Sequence, residues 1–423
     1  MNFIKPILIL TTCLFLFTVI MQAQIPAPAQ KQPIAVTGAT IYTLSGEVIE
    51  DGTIIFEDGT ITAIGAGIDI PAEVERYDAT DKIIYPGLIL AHTNMGLTEI
   101  GAVDVTSDFN EYGEINPNVR AEKAFHPESE HIPVGRSHGV AITITSPGGS
   151  LISGLSAAML MDGWTWEGMT LHAPTGLMIN WPTIDENNDA GRKQLKMIQD
   201  AFDNARAYHV ARSASDGHRT DMRWEAMLPV LEREIPVVVQ ANDVRSIRDA
   251  ITWAESEDIR IIILGGRDAH LMTDQLATKE IPVILTSVLA SPGRPWQGYD
   301  EVYAQAGTLY NAGIRVVIAG GYGSANAMQL RHQAATAAGF GFPKEEALKA
   351  ITIYPAELFG LDNRVGTLEE GKDATFIITD GDVFDLRSSV EQMFIQGRKI
   401  DMADKQKNLF ERYKEKYRQL STE

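Results

Sequence analysis

From Ile34 onward, apolar and polar positions alternate in short blocks separated by turn residues. Ala39-Thr40-Ile41-Tyr42-Thr43-Leu44, Val48 to Gly52, Thr53-Ile54-Ile55-Phe56 and Thr60 to Ile64 each predict a short β-strand. Asp51-Gly52 and Asp58-Gly59 predict hairpin turns, because such pairs supply the positive φ a tight turn needs. A small β domain over residues 34–85 follows. After Tyr85 the pattern changes to continuous apolar runs alternating with helical stretches. The runs are Gly139 to Thr145, Pro236 to Gln240, Arg260 to Leu264, Pro282 to Leu285 and Arg315 to Ala319, and all but the second end in Ser, Thr, Pro or Gly. Strands apolar on both faces, with helices between them, predict a parallel sheet covered on its outer side. About 280 residues of this pattern (86–365) fit a (β/α)8 TIM-type barrel, an α/β fold.

Beyond the barrel, Gly366 to Ile378 reads as a returning strand and Val390 to Ile400 as a strand pair turning at Gly397. These residues (366–400) are expected to complete the β domain begun by 34–85, a composite lobe built from both chain ends. Residues 402–421 close the chain; their apolar positions Leu409, Phe410, Tyr413 and Tyr417 among many charges predict an exposed amphipathic helix, docked on the body rather than on a membrane.

Composition narrows the partners. The chain has 423 residues and a formal charge of −20, which argues against a phosphate backbone as ligand. Lys5 followed by the apolar run Ile7 to Ile20, then Met21-Gln22-Ala23, reads as a cleaved signal peptide over 1–23 and implies a secreted or periplasmic protein. Residues 24–33, rich in Gln, Pro and Ala, read as a flexible leader. Cys13 is the only cysteine, so the mature chain forms no disulfide and offers no thiolate ligand.

The chemistry centres on Tyr85-Pro86-Gly87-Leu88-Ile89-Leu90-Ala91-His92-Thr93-Asn94-Met95-Gly96. On a strand, His92 and Asn94 point to one face, the placement by which a His-x-His pair grips one metal. The second group here is a carboxamide, a poor ligand for zinc-like ions. This segment resembles the opening strand of the amidohydrolase superfamily, Pro-Gly-Leu-Ile-Asp-x-His-x-His, and differs from it at Leu90 and Asn94. The resemblance extends over nearly the whole mature chain and is closest to the imidazolonepropionase-like branch. It implies hydrolysis of non-peptide C–N bonds in small, often cyclic amides, a small-molecule ligand, and a divalent metal such as zinc. It also implies metal ligands at the ends of strands one, four, five, six and eight.

Those positions depart from the family pattern. Gln240, followed by Asn242, stands where the fifth strand carries histidine; Gly265 ends the sixth, with His270 a turn later; Gly321 matches the eighth-strand aspartate. The fourth-strand ligand is sought near Arg212 to Asp216. His92 is the one surviving family ligand, open between a pocket role and a structural hydrogen bond. No metal is assigned, and the pocket candidates are His92, Asn94, Gln240, Asn242, Gly265 and Gly321. A relocated site would draw on Glu99, Asp104, Asp108, Glu111, Glu114, His126, Glu128, Glu130, His131 and His138, with His126 and His131 the best-spaced pair; a solvated loop is the plainer reading. Trp164 and Trp166 could stack on a ring or serve as packing anchors. Pro147-Gly148-Gly149-Ser150 and Gly320-Gly321-Tyr322-Gly323-Ser324 could present N–H groups to an anion or be bare turns. Ser146, Ser150, Ser287 and Ser324 have no histidine at triad spacing. Two functions stand: a divergent hydrolase with a degenerate metal site, or a non-catalytic binding protein or partner subunit of an active amidohydrolase, in a homo- or hetero-oligomer.

Overall fold

The computed structural model describes residues 25–184, 189–214 and 219–421. The expected signal peptide with Cys13, and Asp216, lie outside the described residues.

Five strands precede the barrel: β1 (Ile34–Ile41), β2 (Ile49–Glu57), β3 (Thr60–Ala66), β4 (Glu75–Asp78) and β5 (Ile83–Pro86). The barrel uses β6 (Leu88–Thr93), β7 (Val140–Thr145), β8 (Ile152–Leu160), β9 (Thr170–Asn180), β10 (Val237–Ala241), β11 (Ile261–Gly265), β12 (Val283–Leu285) and β13 (Val316–Ile318). The chain then returns to the lobe as β14 (Phe376–Thr379), β15 (Val390–Ile395) and β16 (Arg398–Lys399).

The lobe is one sheet ordered β16-β15-β14-β5-β1-β2-β3, with β4 beside β1, so both chain ends build it. β14 pairs antiparallel with β5, Ile377 opposite Tyr85, which locks the two ends together. Phe56, Phe376 and Phe394 fill its core with centroids 5.0 to 5.6 Å apart, offset and edge-on arrangements that aromatic rings favour. Asp58-Gly59 forms the β2–β3 hairpin turn as expected, both residues at positive φ. Asp51-Gly52 does not turn the chain. It lies inside β2, opposite Ala39, where the register with β1 slips.

The barrel sheet runs β6 to β13 in chain order. Its strands are buried nearly throughout, as a sheet covered by helices requires. All pairings are parallel except those of β8, which runs antiparallel to both β7 and β9. The gap between β13 and β6 is stitched at two levels. Ile89, near the start of β6, donates its N–H to the Ile351 carbonyl (2.8 Å), and Ile318, closing β13, donates its own to the Ala350 carbonyl (3.1 Å). Just past the end of β6, Asn94 N–H donates to the Tyr322 carbonyl at 2.9 Å.

Because β8 is reversed, its end lies on the lobe side. There Asp162, 3% exposed, is held by Arg136 (2.6 Å) and by Arg398 of β16 (2.8 Å). Burial pushes the Asp162 pKa up and the two guanidiniums oppose it. Ala27 N–H also donates to Asp162 (3.1 Å), and Gln30 bonds Gly59 N–H and the Phe56 carbonyl, so residues 25–33 lie fastened along the body.

The final helix, Lys405–Leu420, is exposed as expected, but the body does not cover its apolar positions: no residue in it is buried. Among the described residues no helix is long and apolar enough to cross a membrane.

Candidate functional site

In a barrel of this kind reacting groups gather at the carboxyl ends of the parallel strands. The structure brings His92, Asn94 and the Gly320-to-Ser324 loop together there, and it spends the polar groups of Asn94 and the loop on one another. Asn94 Oδ1 accepts from Ser324 N–H (2.8 Å) and Ser324 Oγ (3.2 Å). With its own N–H on Tyr322, Asn94 is therefore a closure residue of the barrel. Thr93 Oγ1 donates to the same Tyr322 carbonyl at 3.0 Å.

His92 lies beneath Tyr322, rings stacked at 4.7 Å and 26°. Tyr322 in turn meets Phe109 edge-on at 6.2 Å and anchors its hydroxyl on the Ser146 carbonyl at 3.0 Å. The imidazole is 7% exposed, and its Nδ1 is buried without a hydrogen-bond partner. Burial alone drives its pKa down to about 3, so it is neutral at ordinary pH. Tyr322 and Phe109 were not among the sequence candidates. An aromatic set in a glycine loop at a strand end was the available signal for Tyr322.

Phe109 belongs to the segment that follows β6 and crosses the barrel mouth. Its carbonyl accepts from Gly148 N–H (2.7 Å), Glu114 accepts from Ile152 N–H (2.9 Å), and Val119 accepts from Leu155 N–H (2.7 Å). Gly148 N–H and Ser324 N–H are thus already donated, which removes them from any anion cradle. A Cβ on Gly148 would sit 3.1 Å from the Tyr322 hydroxyl, so glycine permits this close approach.

At the sixth and eighth strands the family's ligand positions are glycines in the left-handed region, Gly265 at φ +91° and Gly321 at φ +108°. A Cβ on Gly265 would lie within 2.4 Å of Asn242 Oδ1, and one on Gly321 within 2.8 Å of Asn326 Nδ2. Carboxamides of neighbouring residues occupy the space where ligand side chains would begin. Gln240, next to last in β10, is exposed, and its carbonyl accepts from Trp181 N–H at 3.1 Å.

The fourth strand is β9, not the Arg212 to Asp216 neighbourhood, whose described part closes the helix Ala190–Ala214. β9 ends in Asn180, whose Nδ2 donates to the Ser150 carbonyl (2.6 Å) and Ser153 Oγ (3.1 Å). It braces a turn.

The loop candidates are dispersed too. His131 places Nε2 3.0 Å from the Glu99 carbonyl, whereas exposed His126 accepts from Glu128 N–H at 3.4 Å. His138 bonds the Val134 carbonyl at 2.8 Å. Asp104, Asp108, Glu111, Glu114, Glu128 and Glu130 are exposed. Among the described residues no three His, Cys, Asp or Glu side chains converge to hold an ion. A zinc-like centre needs at least three such ligands, and the donor set around His92 does not fit one. The tryptophans separate as well: Trp164 is 71% exposed, while Trp166 packs on the core under the Lys123 ammonium, 3.5 Å above its ring.

The composite lobe and the eight-stranded barrel give the amidohydrolase scaffold. The chain belongs to the amidohydrolase family, whose pattern residues 189–401 match. It is similar to amidohydrolase tasK of Hapsidospora irregularis, 24% identical over 82% of this chain; the match spans only 39% of that relative's length. It is also 24% identical to the imidazolonepropionase of Thermoplasma volcanium, over 79% of this chain and 85% of that enzyme. An amidohydrolase structure from Thermotoga maritima superposes with a TM-score of 0.80 at 26% identity, covering 87% of this chain and 99% of that one. Molinate hydrolase shares the fold at 14% identity and a TM-score of 0.57.

Proposed function

We propose that this protein keeps the amidohydrolase scaffold without its histidine-bound metal centre, and serves as a non-catalytic binding or partner subunit of an active C–N hydrolase of the same family. One observation carries this: the last family ligand, His92, is sealed under Tyr322 while the sixth- and eighth-strand positions are glycines crowded by the carboxamides of Asn242 and Asn326. Loss of a single ligand leaves a gap that a neighbour or water fills. Here the backbone itself has been rebuilt, with left-handed glycines and a new barrel stitch through Asn94, and no step of metal-assisted hydrolysis can be routed through these groups.

A second reading rests on the kinship to imidazolonepropionase over most of the chain. It makes the protein a divergent hydrolase of non-peptide C–N bonds in small cyclic amides, with a degenerate or metal-poor centre. Assay of the purified protein against cyclic imides, imidazolones and acyl-dipeptides separates the two. The partner reading expects no turnover above background and recovery of a second amidohydrolase-like chain in a defined complex. Turnover by the isolated chain that survives removal of any companion overturns it.

A further inference from the structure

The final helix has no place in either reading of the barrel. It spans sixteen residues, roughly 24 Å at the usual rise. Its root is fastened: buried Asp404 accepts from the N–H groups of Gln406 (2.7 Å) and Lys407 (2.9 Å), and Lys407 Nζ bonds the Met402 carbonyl. Beyond the root, Leu409, Phe410, Tyr413, Tyr417 and Leu420 stand 41 to 64% exposed. Their spacing gathers all five into an arc of about 100° on one side of the helix.

Charge is arranged around that arc. Lys405, Arg412 and Lys416 follow one edge; Lys407, Lys414 and Arg418 follow the other. Glu411 and Glu415 lie on the far side, paired with Lys414 (3.5 Å) and Arg418 (2.8 Å). Six cations against two acids make the helix +4 in a chain of −20. The lysines sit beside the rings: Lys414 Nζ is 5.6 Å from the Phe410 centroid, and Lys416 Nζ is 5.7 and 5.9 Å from Tyr413 and Tyr417.

We infer that this helix docks on an anionic phospholipid surface, its aromatic arc entering the headgroup boundary and its two cationic edges meeting lipid phosphates. An apolar arc bordered by cations on both sides, with acids turned away, matches such a surface term by term. The same borders oppose pairing with the equivalent helix of a second copy, because either orientation sets Lys and Arg against Lys and Arg.

The test is co-sedimentation of the mature chain, without the expected signal peptide 1–23, with phosphatidylcholine vesicles, with and without roughly 30 mol% phosphatidylglycerol. The expected result is a partition coefficient about tenfold higher on the anionic vesicles, collapsing at about 0.5 M salt. Replacing Phe410→Ser, Tyr413→Ser and Tyr417→Ser together should reduce binding to the anionic vesicles about tenfold with the melting temperature unchanged, since these side chains touch solvent. Equal partition to both vesicles, unaltered anionic binding in the triple variant, or a lipid-free dimer that the triple variant dissolves would each overturn the inference.

Discussion

The two ends of the barrel treat buried polarity in opposite ways. On the lobe side, Asp162, Arg136 and Arg398 form a closed ion network that ties β8, the helix His131–Ser137, β16 and, through Ala27, the leader to one carboxylate. At the mouth, where the family places its charged ligands, the structure has carboxamides, glycines and stacked rings. Charge is used here to hold the lobe on the barrel, whereas the mouth is closed by neutral hydrogen bonds. The reversed β8 makes this possible, because it delivers Asp162 to the end away from the mouth.

The largest effect is expected at the ion network. Asp162→Ala leaves two guanidiniums without their shared carboxylate and should cost about 3–5 kcal/mol of stability, measured by denaturant unfolding. A cost below that of Asn94→Ala would erase the contrast between the two ends.

His92 gives the next effect, and its sign follows from burial. Its pKa falls from 6.5 to about 3 in the fold, so the unfolded chain takes up the proton first. The contribution of a neutral His92 is complete above pH 6.5 and is lost as pH falls toward 3, by about 1.4 kcal/mol per unit. His92→Asn should flatten this slope between pH 6.5 and 4. Parallel slopes in the two proteins would mean that His92 is solvated, and the mouth open.

Smaller again is Asn94→Ala, which strands the buried Ser324 N–H and should cost about 1–3 kcal/mol. Gly321→Asp, the change that restores the family's eighth-strand residue, meets both a left-handed backbone and Asn326. It should lower the melting temperature, at a cost of about 1–3 kcal/mol, and leave activity unchanged. A gain of hydrolysis from Gly321→Asp would show the site to be damaged and not rebuilt.

The frame of this molecule was readable in the chain because apolar runs and turn pairs are local signals. Most of the composite lobe, β6, β7 and β10 to β13 announce themselves that way. β4, β8 and β9 do not, and Asp51-Gly52 signals a turn that β2 runs straight through. Ile152–Leu160 is buried along its whole length with Ser, Gly and Ala among its residues, so neither alternation nor a strong apolar run marks it. With β9 unseen, the fourth-strand position was sought too far along, and Asn180 was missed. The pairing of His92 with Asn94 was legible from strand periodicity, but not what covers them. Tyr322 and Ser324 reach this point from some 230 positions away in the chain, and only barrel closure brings them there. Leu409, Phe410, Tyr413 and Tyr417 showed an amphipathic helix correctly, yet periodicity says only that a face is apolar. It cannot say whether the body covers it.

A barrel mouth rebuilt around a sealed, neutral His92 should hold no metal. The decisive measurement is the metal content of the purified chain, grown with zinc and manganese and read by mass spectrometry beside His92→Asn. Well under one equivalent of either metal is expected in both proteins. One equivalent in the wild type that disappears in His92→Asn would show that the mouth still binds a metal through His92.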